Sequence, residues 1–323
     1  MKSKGLIFFA VASILLCTQA GGAQEDVSRY PSKPMTYVCP SSPGLATDTS
    51  VRLMARELEK ILGQPVVVVN KPGAALTIGT AAVATAKPDG YTIGFTGGPP
   101  IYFTPLLEKV PYDPLKDLRM VAQYGGCTQG AVFVRGDSPF KTFKDMIAYA
   151  RQNPKKVTFG TNGANSITHI TMETIAKQEG VQMTHIPFKG TPESQAAVLG
   201  GHVTAAAGDF VVDMADTGKI RLLMMLREDK SEFHPDIPIL KDVGYNIPYA
   251  VLGIVMTQKA VPNAIVKKLE DAVAKAMKQP AFMKGMRDLR LTLTFRSGQE
   301  TDSYVAKSYE YYTKTFKEMG LIK

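Results

Sequence analysis

Residues 36–62, TYVCPSSPGLATDTSVRLMARELEKIL, decide the fold, because they read as strand, loop and helix in succession. Thr36 to Cys39 is a short β-prone run. Pro40 to Asp48 supplies two prolines, a glycine and three hydroxyls. Val51, Met54, Ala55, Leu58, Ile61 and Leu62 then recur at helical spacing, and Gly63 stands where a C-cap is expected. Unpaired N–H groups at such a helix start, with the helix dipole behind them, favour a carboxylate or phosphate. Asp48 reads as an N-cap or as a first-turn acid facing that dipole. As a direct partner for an anion it would repel.

Outward from this stretch, the same alternation continues. Residues 66–69, four valines, are too β-branched and too short for a helix. A small helix over 78–86 and a strand over 91–95 complete a βαβαβ order, which predicts a parallel sheet with helices on both faces. A second unit opens near residue 128, with strands at 131–134, 156–160, 183–186, 203–206 and 220–226. Thr142 and Asp145 read as a capping box before one of its helices. A further strand from about Tyr249 precedes Pro262, an N1-type proline opening a helix to Lys278. Residues 291–295 read as a strand and 299–319 as an amphipathic helix.

Between the strand at 156–160 and its helix lies a second polar loop, Gly160-Thr161-Asn162-Gly163-Ala164-Asn165-Ser166-Ile167-Thr168-His169. It carries hydroxyl and amide groups enough for a second anion clamp. An ordinary turn with Asn165 or Ser166 as N-cap accounts for the same residues.

Gross composition narrows the partners. The 323 residues carry 38 Lys and Arg against 29 Asp and Glu, a formal charge of +9. Without a dense basic run or an interleaved aromatic platform, this modest excess suits anionic small molecules, not nucleic acid. Residues 1–23 have the layout of a secretory signal: Lys2 and Lys4, an apolar stretch from Leu6 to Leu16, and a small-residue end at Ala23 or Ala20. A soluble periplasmic protein is therefore expected. Leu16 before Cys17 departs from a lipobox. Cys39 and Cys127 are left for an oxidising compartment, either as a disulfide or as two buried thiols. No G-x-S-x-G, H-E-x-x-H, C-x-x-C, P-loop or G-x-G-x-x-G pattern occurs, and the four histidines lack metal-ligand spacing. No metal and no cofactor are expected, and no enzyme, although Ser166 and His169 at i, i+3 leave a secreted hydrolase conceivable.

Separated segments along the mature chain carry a resemblance. Tyr30-Pro31-Ser32-Lys33-Pro34, Pro40 to Asp48, Leu62-Gly63-Gln64-Pro65-Val66, Lys87-Pro88-Asp89-Gly90-Tyr91-Thr92 and Pro111-Tyr112-Asp113-Pro114 stand in family order. His185-Ile186-Pro187-Phe188-Lys189-Gly190 and Leu199-Gly200-Gly201 continue it. The chain resembles the extracytoplasmic receptors of tripartite tricarboxylate transporters, the TctC or Bug family.

This resemblance implies an α/β, two-lobed periplasmic binding protein of type II, each lobe a mainly parallel sheet flanked by helices. Residues 24–127 plus 249–323 would form one lobe and 128–248 the other. The ligand carboxylate would be held largely by main-chain N–H groups. Ser41, Ser42, Gly44, Leu45 and Thr47 would line one jaw. Thr161, Asn162, Ala164, Asn165 and Ser166 would line the second, with His169 behind. Gly97 and Gly98 match a contributing turn of the first lobe, and Asp209 matches an acidic position near the cleft floor. Ser41 replaces the family's usual aromatic and Leu45 its second glycine. The implied ligand is a small organic carboxylate, with an aromatic dicarboxylate such as terephthalate as a special case. The implied partners are the membrane subunits of a tripartite carrier, served by a monomer, or alternatively a membrane sensor kinase.

Overall fold

A computed structural model describes residues 27–126, 130–249 and 252–323. The expected signal segment at 1–23 and Cys127 lie outside these. Among the described residues, eleven strands form two sheets. The first contains β1 (Met35–Cys39), β2 (Val66–Asn70), β3 (Thr92–Thr96), β4 (Leu118–Gly126), β10 (Leu252–Gln258) and β11 (Arg296–Ser297), in the order β11-β4-β10-β3-β1-β2. The second contains β5 (Gly130–Arg135), β6 (Thr158–Thr161), β7 (Thr184–Pro187), β8 (Ala205–Asp209) and β9 (Ile220–Met225), in the order β7-β6-β8-β5-β9.

Each sheet has the same plan. In the first, β1 pairs in parallel with β2 on one side and β3 on the other. In the second, β6 pairs in parallel with β7 and β8. Beyond β3 and beyond β8 the pairing turns antiparallel, through β10 and β5 respectively. The sheets are thus mixed, where a mainly parallel arrangement was expected. In the first sheet β10 runs opposite to both of its neighbours, β3 and β4, and the short edge strand β11 adds a further antiparallel pair.

Helices cover both faces. On the first sheet, α1 (Ala46–Leu62), α9 (Asn263–Ala276) and α10 (Pro280–Asp288) bury Val51, Met54, Leu58, Leu269 and Phe282 on one face. The other face takes α2 (Thr77–Ala84), the single turns α3 (Pro99–Tyr102) and α4 (Thr104–Leu107), and α11 (Gly298–Glu318). The second sheet carries α5 (Phe143–Gln152) and α6 (Ile167–Glu179) on one face, with α7 (Thr191–Leu199) and α8 (Val212–Asp216) on the other. Helix α1 ends where Gly63 adopts φ 72° and returns its N–H to Glu59 O. The capping box at Thr142 and Asp145 is present.

Two expectations are corrected. Residues 291–295 form no strand. Only Arg296–Ser297 pairs, with Gln123 and Ala122 of β4. Pro262 stands at the N-cap of α9 instead of its first helical position, and the helix ends at Ala276.

Helix α6 joins the two halves. Met172, Ile175 and Ala176 pack into the second sheet's core. Ile170, fully buried, packs instead among Ile101, Tyr102, Val305 and Tyr312 of the first. At the far side Glu228 accepts from Tyr304 Oη at 2.5 Å and Arg296 Nη2 at 3.2 Å, and Arg227 donates to Thr292 Oγ1 at 3.0 Å.

Candidate functional site

In a sheet whose successive crossovers leave a strand on opposite sides, a crevice opens at the carboxyl ends of the two diverging strands. Here that condition is met twice. The loop 40–45 follows β1, and Gly97 and Gly98 follow its neighbour β3. The loop 162–166 follows β6, and Asp209 ends its neighbour β8. The expected site residues therefore gather at two equivalent switch points, with Thr47 and His169 in the first turns of the helices that follow, α1 and α6.

The first loop is braced from below. Asp48, 3% exposed at its side chain, stands in the first turn of α1 and is not its cap. Its carboxylate accepts the Gly44 N–H at 2.9 Å, Arg52 Nε at 3.0 Å and Asn70 Nδ2 at 2.7 Å. Asn70 Nδ2 also lies 2.8 Å from Ser41 O, and Asn70 Oδ1 accepts Arg52 Nη2 at 2.9 Å. Burial alone would push the Asp48 carboxyl up, but these donors outweigh it and bring its pKa to about 2. Leu45 occupies the N-cap and makes no side-chain cap bond, so the first-turn N–H groups of α1 have no capping side chain. Leu45 is 57% exposed, Ser42 and Gly44 are exposed, Thr47 is half-buried, and Ser41 is buried. Gly79 of α2 lies beneath: a Cβ there would meet Pro40 Cβ at 2.6 Å. Cys39 is a free, buried thiol whose pKa burial raises.

Gly97 and Gly98 are buried beside this loop. Gly98 O accepts the N–H groups of Ile101 and Tyr102 and so starts the turn α3.

The second loop is tied to itself. Ser166 is the N-cap of α6 and accepts the His169 N–H at 3.3 Å. Its hydroxyl also lies 2.9 Å from Gly163 O and from Thr168 Oγ1. Thr168 donates to Asn162 Oδ1 at 3.0 Å, and Thr161 donates to Gly163 O at 2.9 Å. The hydroxyls read from the sequence as clamp donors are thus engaged inward. Asn162, Ala164 and Asn165 remain exposed. Ser166 Oγ meets the main chain of His169 and not its imidazole, whose Nδ1 accepts the Asn165 N–H at 3.1 Å. The Ser–His contact that a hydrolase would need is not formed. Asp209 is half-buried, and its carbonyl lies 3.3 Å from Gln195 Nε2.

Three residues that matter to this site were not singled out together from the sequence: Asp48 as a brace, Arg52 and Asn70. The i, i+4 spacing of Asp48 and Arg52 was the available signal. Asn70 closing the valine strand opposite Cys39 was not readable without the register. Among the described residues, no group of three or more His, Cys, Asp or Glu is placed to hold a metal, and no helix is long and apolar enough to cross a membrane.

Two lobes, each with a polar loop at its switch point, define the class of two-lobed solute-binding proteins. The chain belongs to the TctC family, the tripartite tricarboxylate transporter family receptors, whose model matches residues 50–321. It is 35% identical over 322 residues to a UPF0065 protein in the gbd 5′ region of Cupriavidus necator, covering 98% of each chain. Among solved structures, it is similar to a TctC solute-binding protein from Polaromonas without ligand, at 26% identity and a TM-score of 0.80, covering 90% of this chain and 99% of that one. It is also similar to Rpa4515 of R. palustris with adipate, at 25% identity and a TM-score of 0.68, covering 90% and 98%.

Proposed function

We propose that this chain is a periplasmic receptor, exported by its residues 1–23, that closes two lobes on a small organic carboxylate and delivers it to the membrane subunits of a tripartite carrier. The lobes of this reading are residues 24–127 with 249–323, and 128–248. The observation that carries it is the pair of equivalent loops at the switch points of the two sheets. One offers a helix start without a capping side chain, and the other offers exposed Asn162 and Asn165. A carboxylate held between them needs no buried arginine, since hydrogen bonds to a charged group contribute about 1.5–3 kcal/mol each. Ser41, Ser42, Gly44, Leu45, Thr47, Gly97 and Gly98 face it from the first lobe. Asn162, Ala164, Asn165 and Asp209 face it from the second, with Thr161 and Ser166 holding that loop from within and His169 behind. The related R. palustris protein with adipate supports a dicarboxylate of modest length. Exposed Leu45, where the family has glycine, adds apolar surface that suits an aromatic acid such as terephthalate.

Thermal unfolding of the signal-free chain against adipate, terephthalate, citrate-like acids and their neutral amides tests this. The chain has no tryptophan, so a dye or calorimetry reports the midpoint. An acid at a hundred times its Kd adds about 2.7 kcal/mol. Midpoints that rise for one acid subset and not for its amides name the ligand class, whereas equal shifts for acids and amides sink the carboxylate reading.

A further inference from the structure

Two histidines stand behind the second loop as one unit. The rings of His169 in α6 and His185 in β7 stack with centroids 3.8 Å apart and planes 20° apart. Phe159 of β6 lies alongside, 6.5 Å from the first ring and 5.1 Å from the second. Each ring is engaged at its edge with the loop. His169 Nδ1 accepts the Asn165 N–H at 3.1 Å. His185 Nε2 lies 2.7 Å from Thr161 Oγ1, whose hydroxyl lies 2.9 Å from Gly163 O.

Proton counting then assigns both tautomers. A ring nitrogen that accepts a hydrogen bond carries no hydrogen, so neutral His169 keeps its proton on Nε2, 3.8 Å from Glu173 Oε1. Thr161 has one hydroxyl hydrogen; given to Gly163 O, it leaves His185 to donate from Nε2. What the pair holds is a bend. Asn165 sits at φ 56°, left-handed for a residue with a side chain, two residues after Gly163 at φ 134°.

We propose that His169 and His185 are positioning residues: stacked, neutral and protonated only on Nε2, they hold the 161–166 loop in the shape that presents Asn162, Ala164 and Asn165 to the cleft. This rests on the reading of that loop as a jaw of the ligand site. A second proton on His169 would place a hydrogen where Asn165 N–H needs an acceptor and release the bend.

The surroundings keep the pair neutral. Burial holds both imidazoles below their ordinary range, and for His185 the neighbouring His169 adds to this, to about 4. The groups facing the pair are Glu173 on α6, raised by burial, and uncharged Phe159 on β6. Glu173 also lines a cavity, apart from the two rings, to which α11 contributes Tyr311, Lys314 and Glu318, the last paired with Lys177 at 2.9 Å. Because the folded-state values are depressed, the hold is complete above about pH 6.5 and weakens as pH falls below it.

The test is imidazole ¹⁵N NMR on the unliganded protein, joined to amide exchange at Asn165. At about pH 7.5, above the ordinary imidazole range, both rings should show a protonated Nε2 and a bare Nδ1. His169→Phe keeps a ring for the stack but removes the acceptor, and Asn165 exchange should quicken about tenfold. His169→Asn, whose Oδ1 stands near the place of Nδ1, should restore protection. A protonated Nδ1 on His169, or unchanged Asn165 exchange in His169→Phe, overturns the proposal. If His169→Phe does not fold, the tautomers of the unsubstituted protein still decide. None of these readouts needs a ligand, so they stand or fall apart from the carboxylate panel.

Discussion

Beneath the loop after β1 lies an ionic brace, Asp48 held by Arg52, Asn70 and the Gly44 N–H. Beneath the loop after β6 lies an uncharged one, two stacked imidazoles and a chain of hydroxyls. The loops occupy equivalent places in their sheets, so topology does not demand either chemistry. The difference lies in what each helix start leaves free. Leu45 cannot cap α1, and Asp48 is turned down into its brace with its charge matched by Arg52. Ser166 does cap α6. The first loop therefore offers main chain and the second offers side-chain amides. Substitutions should be felt unequally.

The largest effect separates the jaws by their anchorage. Ile170 ties α6 to the first sheet's core, and among the described residues nothing comparable ties α1 to the second. Ile170→Ala should cost about 3 kcal/mol in urea unfolding, and a loss under about 1 kcal/mol would show that the site collapses freely.

Next comes the ionic brace. Asp48→Asn should cost about 2 kcal/mol at neutral pH, because three donors lose a charged acceptor. The sign with pH is fixed by a folded-state pKa of about 2, below the ordinary carboxyl value. The stabilisation is complete above about pH 4 and is lost as pH falls toward about 2. Urea midpoints of parent and variant should therefore converge in acid, and a constant gap would refute the charge argument.

On binding, the second jaw should be the sensitive one. Asn165→Asp should weaken the panel's best carboxylate at least tenfold, about 1.4 kcal/mol, by calorimetric titration. The neutral change Ser42→Ala in the first jaw should leave affinity within about threefold. The reverse order would mean that the jaws have been assigned the wrong chemistry.

The smallest effect is a gain. Gly73, Ala74, Ala75 and Leu76, which precede α2, all have positive φ. Ala75 is exposed at φ 48°, ψ 44°, a conformation that costs about 1–2 kcal/mol with a Cβ. Ala75→Gly should raise stability by about 0.5 kcal/mol after the entropy of the added glycine, read as a higher thermal midpoint.

Much of this was legible in the residues. The helical spacing from Val51 to Leu62, with Gly63 after it, marked α1 because one face is buried and the other wet. Strand β4 was not read, since 118–125 is buried for almost its whole length and so lacks alternation, and its closing glycines look like a loop. Residues 291–295 alternate well but find no partner strand, a matter decided by tertiary structure alone. Both polar loops were visible by composition. Which of their donors would be used up was not: Ser166, Thr161 and Thr168 show hydroxyls in the sequence, while their acceptors Gly163 and Asn162 depend on the bend at Asn165.

The burial of Ile170 gives α6 a mechanical character. One end of this helix carries the second polar loop, and its flank is seated among Ile101, Tyr102, Val305 and Tyr312 of the other lobe. Close-packed side chains do not stretch: they hold one seating or move to another. Relative movement of the lobes would then proceed like a detent, with a threshold set by unseating Ile170 and its neighbour Ile167 and by breaking the Glu228 and Arg227 hydrogen bonds, and travel between the stops would be abrupt instead of graded.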